Sequence, residues 1–139
     1  MHSGKRNMIF KVGDKYNLNF KVSNQIHNDF IKLFNDNNPL HTDEQFAIEA
    51  GFNGRVMHGN ILNGFLSYFI GECLPDKKVI IHSQDIQYKN PVYLNDELVF
   101  FAVIHEVFES VNVIEFKYHF MKNDSILVAK GKISIGLIK

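Results

Sequence analysis

At 139 residues the chain has the length of one domain, enough to bury a single sizeable core. Hydrophobic residues make up 45% and charged residues 22%, as in ordinary globular proteins, and fifteen basic residues balance fifteen acidic ones. That balance lacks the basic footprint of a nucleic-acid binder; the single cysteine, Cys73, excludes an intrachain disulfide; and no apolar run is long enough to span a bilayer.

Residues 1–11 read as a flexible lead-in. Met1 to Met8 is polar and basic with no apolar signal core behind it, and Met8 could serve as an alternative start. Residues 12–139 then form one domain, expected in the reducing cytoplasm. Gly13-Asp14 marks a turn. From Tyr16 to Val22, Tyr16, Leu18, Phe20 and Val22 alternate with polar residues, the period of a half-buried strand. Ser23 can cap a following helix, on which Ile26, Phe30, Leu33 and Phe34 share one face.

That helix delivers the chain to Asp36-Asn37-Asn38-Pro39-Leu40-His41. Pro39 rules out a continuous helix through this stretch, and Asn38 before it is pushed toward an extended conformation. The chain must therefore bend between Asp36 and His41. A bend can aim a carboxylate and an imidazole into one cleft, which an acid/base device requires. Thr42 is a candidate N-cap, with Gln45 in capping-box position, for a short helix ending at Gly51.

The longest helix is expected from about Gly59 to Leu74. Ile61, Leu62, Phe65, Leu66, Phe69 and Ile70 are frequent enough to imply burial on most sides. Strands follow: Val79 to Tyr88, Leu98 to Phe108, Val111 to Lys122 and Ile126 to Ile138, with turns at Asn95-Asp96 and Asn123-Asp124. Leu98 to Phe108 is apolar on both phases, as a central strand would be. One long helix against a curled, mostly antiparallel five-stranded sheet is an α+β domain.

Asp36 alone would read as a turn residue, and His41 alone as a surface histidine; the pairing around Pro39 favours chemistry. Asn38 either pins the bend or orients one of the pair. Gly59 opens a helix, where unpaired N–H groups carry partial positive charge and can meet a developing oxyanion. Arg55 is a candidate donor to a phosphate. His58 reads as structural. His2, His27, His82, His105 and His119 show no metal-ligand spacing, so no metal is expected. Cys73 reads as a small buried hydrophobe.

Asp36-x-Asn38-Pro39-Leu40-His41, with Thr42 to Ala47 after it and Gly54-Arg55-Val56-Met57-His58-Gly59 beyond, resembles the MaoC-like, (R)-specific enoyl-CoA hydratases. The resemblance runs from about Val12 to Ile135. Phe34-Asn35 depart from it, since the family usually has a small residue followed by Gly or Glu there. The resemblance implies a hot-dog fold, a sheet wrapped around the long helix. It implies Asp36 as general base on a water, His41 as its acid/base partner and Gly59 in an oxyanion role. It implies hydration of a trans-2-enoyl thioester carried by CoA, with no cofactor. Acyl-carrier-protein dehydratase, thioesterase and non-catalytic acyl-CoA-binding domains share such folds. A homodimer or dimer of dimers is expected, because the edges of a five-stranded sheet need cover.

Overall fold

The computed structural model describes residues 9–138, so most of the expected lead-in lies outside the described residues. Six strands form one sheet: β1 (Lys15–Lys21), β2 (Val79–Gln84), β3 (Gln87–Tyr88), β4 (Glu97–Phe108), β5 (Val113–Lys122) and β6 (Ile126–Leu137). Their order is β1-β4-β5-β6-β2, with β3 also on β6, and every pairing is antiparallel. Four helices accompany them: α1 (Asn24–Phe34), α2 (Pro39–Thr42), α3 (Glu44–Glu49) and α4 (Asn60–Glu72). The sheet does not close.

The core lies between α4 and the inner face of the sheet. Ile61, Leu62, Leu66, Phe69 and Ile70 of α4 are buried there. Phe69 packs edge-on to Phe116 and tilted on Phe100, at centroid distances of 5.5 and 4.9 Å. Phe20 of β1 stacks on Phe65 at 4.3 Å. Such rings each remove a large apolar area from water, on the order of 2–3 kcal/mol apiece. Phe10 also enters the core, so packing begins ahead of Val12. The opposite stripe of α4, including Asn60, Gly64, Ser67 and Tyr68, is exposed, so burial covers one side and not most sides.

β4 is central, as its composition implied, and Leu98, Phe100, Ala102 and Ile104 face the core. The expected strand from Val79 to Tyr88 divides in two. Asp85 crosses β6 at Gly131, where a Cβ would collide with the Asp85 carbonyl. Tyr118 Oη–H donates to that carbonyl at 2.6 Å, and Lys132 N–H to Asp85 Oδ1 at 3.2 Å. Burial, then the Asp85 charge, pushes the Tyr118 phenol well above its ordinary range, so it stays a donor. β5 starts at Val113 and not Val111, because Glu109–Val111 is a 3-10 turn and Asn112 turns through a left-handed φ of 55°. Asn123 and Asp124 have φ of 51° and 61°, as a tight hairpin requires. Among the described residues no helix is long and apolar enough to cross a membrane.

Candidate active site

The site is built where α1 ends. Asn35 caps α1 in a left-handed conformation, φ 56°, with its N–H on the Ile31 carbonyl at 2.7 Å. The chain reverses, and Asp36 Oδ1 accepts the Asn38 N–H at 3.3 Å. Asn38 is extended at φ −52°, ψ 133°, and its Oδ1 accepts the Leu40 N–H at 2.9 Å. Pro39 stands at the first position of α2, where its missing N–H costs nothing. Asn38 thus pins the bend. Thr42 is not the next cap: its hydroxyl donates back to the Asn37 and Asn38 carbonyls, and Asp43 caps α3 by accepting the Phe46 N–H.

The bend brings His41 against the strand-like segment before α4. His41 Nδ1–H donates to the Val56 carbonyl at 2.7 Å, while the Val56 N–H donates to the Leu40 carbonyl. A carbonyl only accepts, so the His41 hydrogen sits on Nδ1 and the Nε2 lone pair is free. His58 lies under His41, ring on ring at 3.9 Å, with Phe30 on its other flank at 4.6 Å. By the same argument His58 Nε2–H donates to the Asp36 carbonyl at 3.0 Å, and it sits 3.9 Å from Asp36 Oδ2. His58 is therefore part of the site and ties the Asp36 backbone to the start of α4.

Donor atoms of Asp36, His41 and His58 all lie within 4.8 Å of one another. Tetrahedral zinc would hold such ligands about 3.3–3.6 Å apart, judging from its bond lengths. The His58 Nε2 hydrogen is already given to a carbonyl, so the set suits proton handling better than metal ligation. Burial, the largest effect, lowers the pKa of His58; the hydrogen bond to the Asp36 backbone opposes it. His58 is thus a neutral donor near pH 7.

Two clefts flank the cluster and meet at Asn60 and Ile61. One, of about 510 Å³, is lined by His41, Met57, His58, Gly59 and Tyr88. The other, of about 800 Å³, runs between α1 and α4 past Phe30, Leu33, Phe34 and Phe65, with Asp36 on its wall. Both fall in the size range of ligand pockets. Gly59 stands at the N-cap of α4 with helical φ and ψ, and among the described residues nothing accepts its N–H. A Cβ there would lie 2.8 Å from Tyr88 Cε1, so glycine keeps the cleft wall close to the backbone.

The structure thus brings Asp36 and His41 together, sets Gly59 in the cleft that His41 lines, and leaves Asn38 holding the bend between the pair. It does not bring Arg55, which lines neither cleft and whose charge instead faces His27. The sequence reading missed two residues. His58 was legible as the residue before a helix start, but its ring contacts were not. His27 looked isolated, yet its ring lies 5.5 Å from His58. The expected apolar face of α1 is also corrected: Leu33 and Phe34 are 74% and 66% exposed, and His27 is the residue of α1 that is buried.

The profile of the MaoC like domain family matches residues 11–120. An (R)-specific enoyl-CoA hydratase from Aeromonas caviae is 34% identical over 88 residues, which cover 63% of this chain and 66% of that protein. A mitochondrial 3-hydroxyacyl-acyl-carrier-protein dehydratase from Arabidopsis thaliana is 28% identical over 122 residues, 86% of this chain and 72% of that one. The solved (R)-hydratase from A. caviae, described as involved in PHA biosynthesis, superposes with a TM-score of 0.86 at 26% identity, covering 94% of this chain and 98% of that one. With an open antiparallel sheet against one long helix, and a family match over most of its length, the chain belongs to the MaoC-like domain family and has the hot-dog fold.

Proposed function

We propose that the protein reversibly hydrates a trans-2-enoyl thioester to an (R)-3-hydroxyacyl thioester. The observation that carries this reading is the Asp36 carboxylate within 4.8 Å of the His41 and His58 imidazoles, with His41 and Gly59 lining one cleft. A water held between Asp36 and the His41 Nε2 lone pair attacks the β-carbon. Asp36 accepts the proton that water loses, one hydrogen stays on the new hydroxyl, and the Asp36/His41 pair returns the proton to the α-carbon. The Gly59 N–H, at the positive end of α4, receives the thioester oxygen as the enolate forms. Conjugation already makes the β-carbon electrophilic, so this chemistry needs no cofactor.

Loss of enoyl absorbance with crotonyl-CoA and longer analogues tests the reading; a folded protein inert to all of them refutes it. The plant relative makes the acyl-carrier-protein dehydratase a second reading with the same residues running the reaction backward. Turnover of the pantetheine-protein substrate in preference to the CoA ester would select it. We also propose a homodimer, because β2 is a sheet edge carrying an exposed Ile80. Light scattering after size exclusion should give twice the chain mass, and a monomer at micromolar concentration would refute it.

A further inference from the structure

The acid/base pair is divided between the two clefts. His41 lines one and Asp36 the other, and Asn60 and Ile61 are the residues common to both. A substrate that reaches both groups must therefore cross the junction at these two side chains. Ile61 is buried and apolar, so Asn60 supplies the polar side chain there. An exposed asparagine in the first turn of a helix is ordinary in itself. Its place at the crossing gives it a use.

The Asn60 amide is held by a row of side chains. Gln84 Nε2–H, from β2, donates to Asn63 Oδ1 at 2.7 Å, and Asn63 Nδ2–H donates to Asn60 Oδ1 at 2.8 Å. Burial raises the pKa of Tyr88, and a hydrogen bond with Asn63 opposes it. Tyr88 is the ring packed against Gly59, so Asn63 anchors both that ring and the Asn60 amide. A primary amide has one oxygen and two N–H groups. With its oxygen committed to Asn63, Asn60 has the two hydrogens of Nδ2 to offer. Helical side chains lean toward the start of their helix, which for Asn60 is the side of Gly59 and the His41 cleft.

We propose that Asn60 is a substrate-binding residue of this site: at the junction of the clefts its Nδ2–H donates to the thioester carbonyl oxygen, as a second donor in addition to the Gly59 N–H. An enoyl thioester carries one strong acceptor near its double bond, the carbonyl oxygen, and no donor. Negative charge gathers on that oxygen as the β-carbon takes up the hydroxyl. A donor already held in place needs no reorganisation at that moment. Asn63 and Gln84 set which end of the Asn60 amide faces the substrate. The kinetic part of this inference rests on the hydration reading; contact between Asn60 and a bound thioester can be measured without turnover.

The test uses the full chain and two variants, Asn60→Leu and Asn60→Asp. Both keep the shape of the side chain at an exposed position, so both should fold. The probe is butyryl-CoA, saturated and unreactive, with carbon-13 at its carbonyl. Infrared difference spectra of the bound probe report the hydrogen bonds its oxygen receives, because each donor lowers the carbonyl stretch. The band should move to higher wavenumber in both variants. Turnover of crotonyl-CoA should fall about a hundredfold in Asn60→Leu, the usual result of removing one oxyanion donor. The dissociation constant of butyryl-CoA should change less than about threefold. Asn60→Asp still accepts from Asn63 but offers the substrate no hydrogen, so its turnover should fall at least as far. A folded variant of either kind with unaltered turnover, or a carbonyl band that stays where it is in Asn60→Leu, overturns the proposal. If the unaltered protein binds butyryl-CoA but turns over no enoyl thioester, the hydration reading fails, and the carbonyl band still decides the role of Asn60. If it does not bind butyryl-CoA, both fail.

Discussion

Asp36→Asn separates chemistry from folding more cleanly than any other change at this site. The amide keeps an oxygen at Oδ1, where Asp36 accepts the Asn38 N–H at 3.3 Å. The other oxygen lies 3.9 Å from His58 Nε2, beyond a hydrogen bond, on a side chain that is 47% exposed. No buried charge is created or stranded, so stability should change by no more than about 0.5 kcal/mol. The amide cannot take a proton. Removing a positioned general base costs about a hundred- to ten-thousandfold in rate, or roughly 3–5 kcal/mol of barrier. The catalytic loss is thus several times the folding effect. Enoyl absorbance gives kcat, and calorimetry with an acyl-CoA gives the dissociation constant; kcat should collapse while binding barely moves. His41→Ala should look similar in rate, but it also loses the 2.7 Å bond to Val56 and the stack on His58, so it should cost about 1–2 kcal/mol in stability. The double variant should be little worse than either single one, since the pair serves one water. An unaltered protein that hydrates enoyl-CoA, and an Asp36→Asn protein that does so equally well, would discard this mechanism.

Gly59→Val should damage activity more than folding. The backbone there is helical and accepts a side chain, but the new Cβ must displace the half-exposed Tyr88 ring at the cleft. Valine keeps the backbone N–H but its side chain obstructs the approach to it, and losing that oxyanion contact should lower turnover about a hundredfold or more; an active, folded variant would move the thioester elsewhere. Lys122→Met should destabilise by about 3 kcal/mol without touching the chemistry, because it strands Asp96 and the Pro91 carbonyl, which Lys122 Nζ meets at 3.0 and 2.6 Å. A denaturation midpoint matching the unaltered protein would show that pair to be idle. Stability should fall as pH drops below about 6.5, the ordinary histidine value, because burial lowers the pKa of His27, His58 and His119. In that window the unfolded chain binds protons that the folded one refuses, so the slope favours unfolding as acid is added. Melting temperatures that stay level between pH 7.5 and 5.5 would refute neutral burial of these rings.

Neighbours along the chain determined much of this protein. The alternation in β1 and β5, the apolar run of α4, the asparagines at the turns and the bend at Pro39 all act over a few residues. Composition alone reveals such features, and Asp36, Asn38, His41 and Gly59 were legible for that reason. Other features depend on partners distant in sequence. The segment from Val79 onward has strand composition to its end, yet it breaks where Asp85 meets Gly131 and Tyr118. Asp43 displaced Thr42 as the cap of α3 because the Thr42 hydroxyl was already committed to the bend. The face of α1 that is buried was chosen by what packs against it, which left Leu33 and Phe34 outside and His27 inside. The task of His58 exists only once the end of α1 and the start of α4 lie side by side. A hydrogen bond between residues 22 positions apart has no local signature, so only the tertiary structure could decide it.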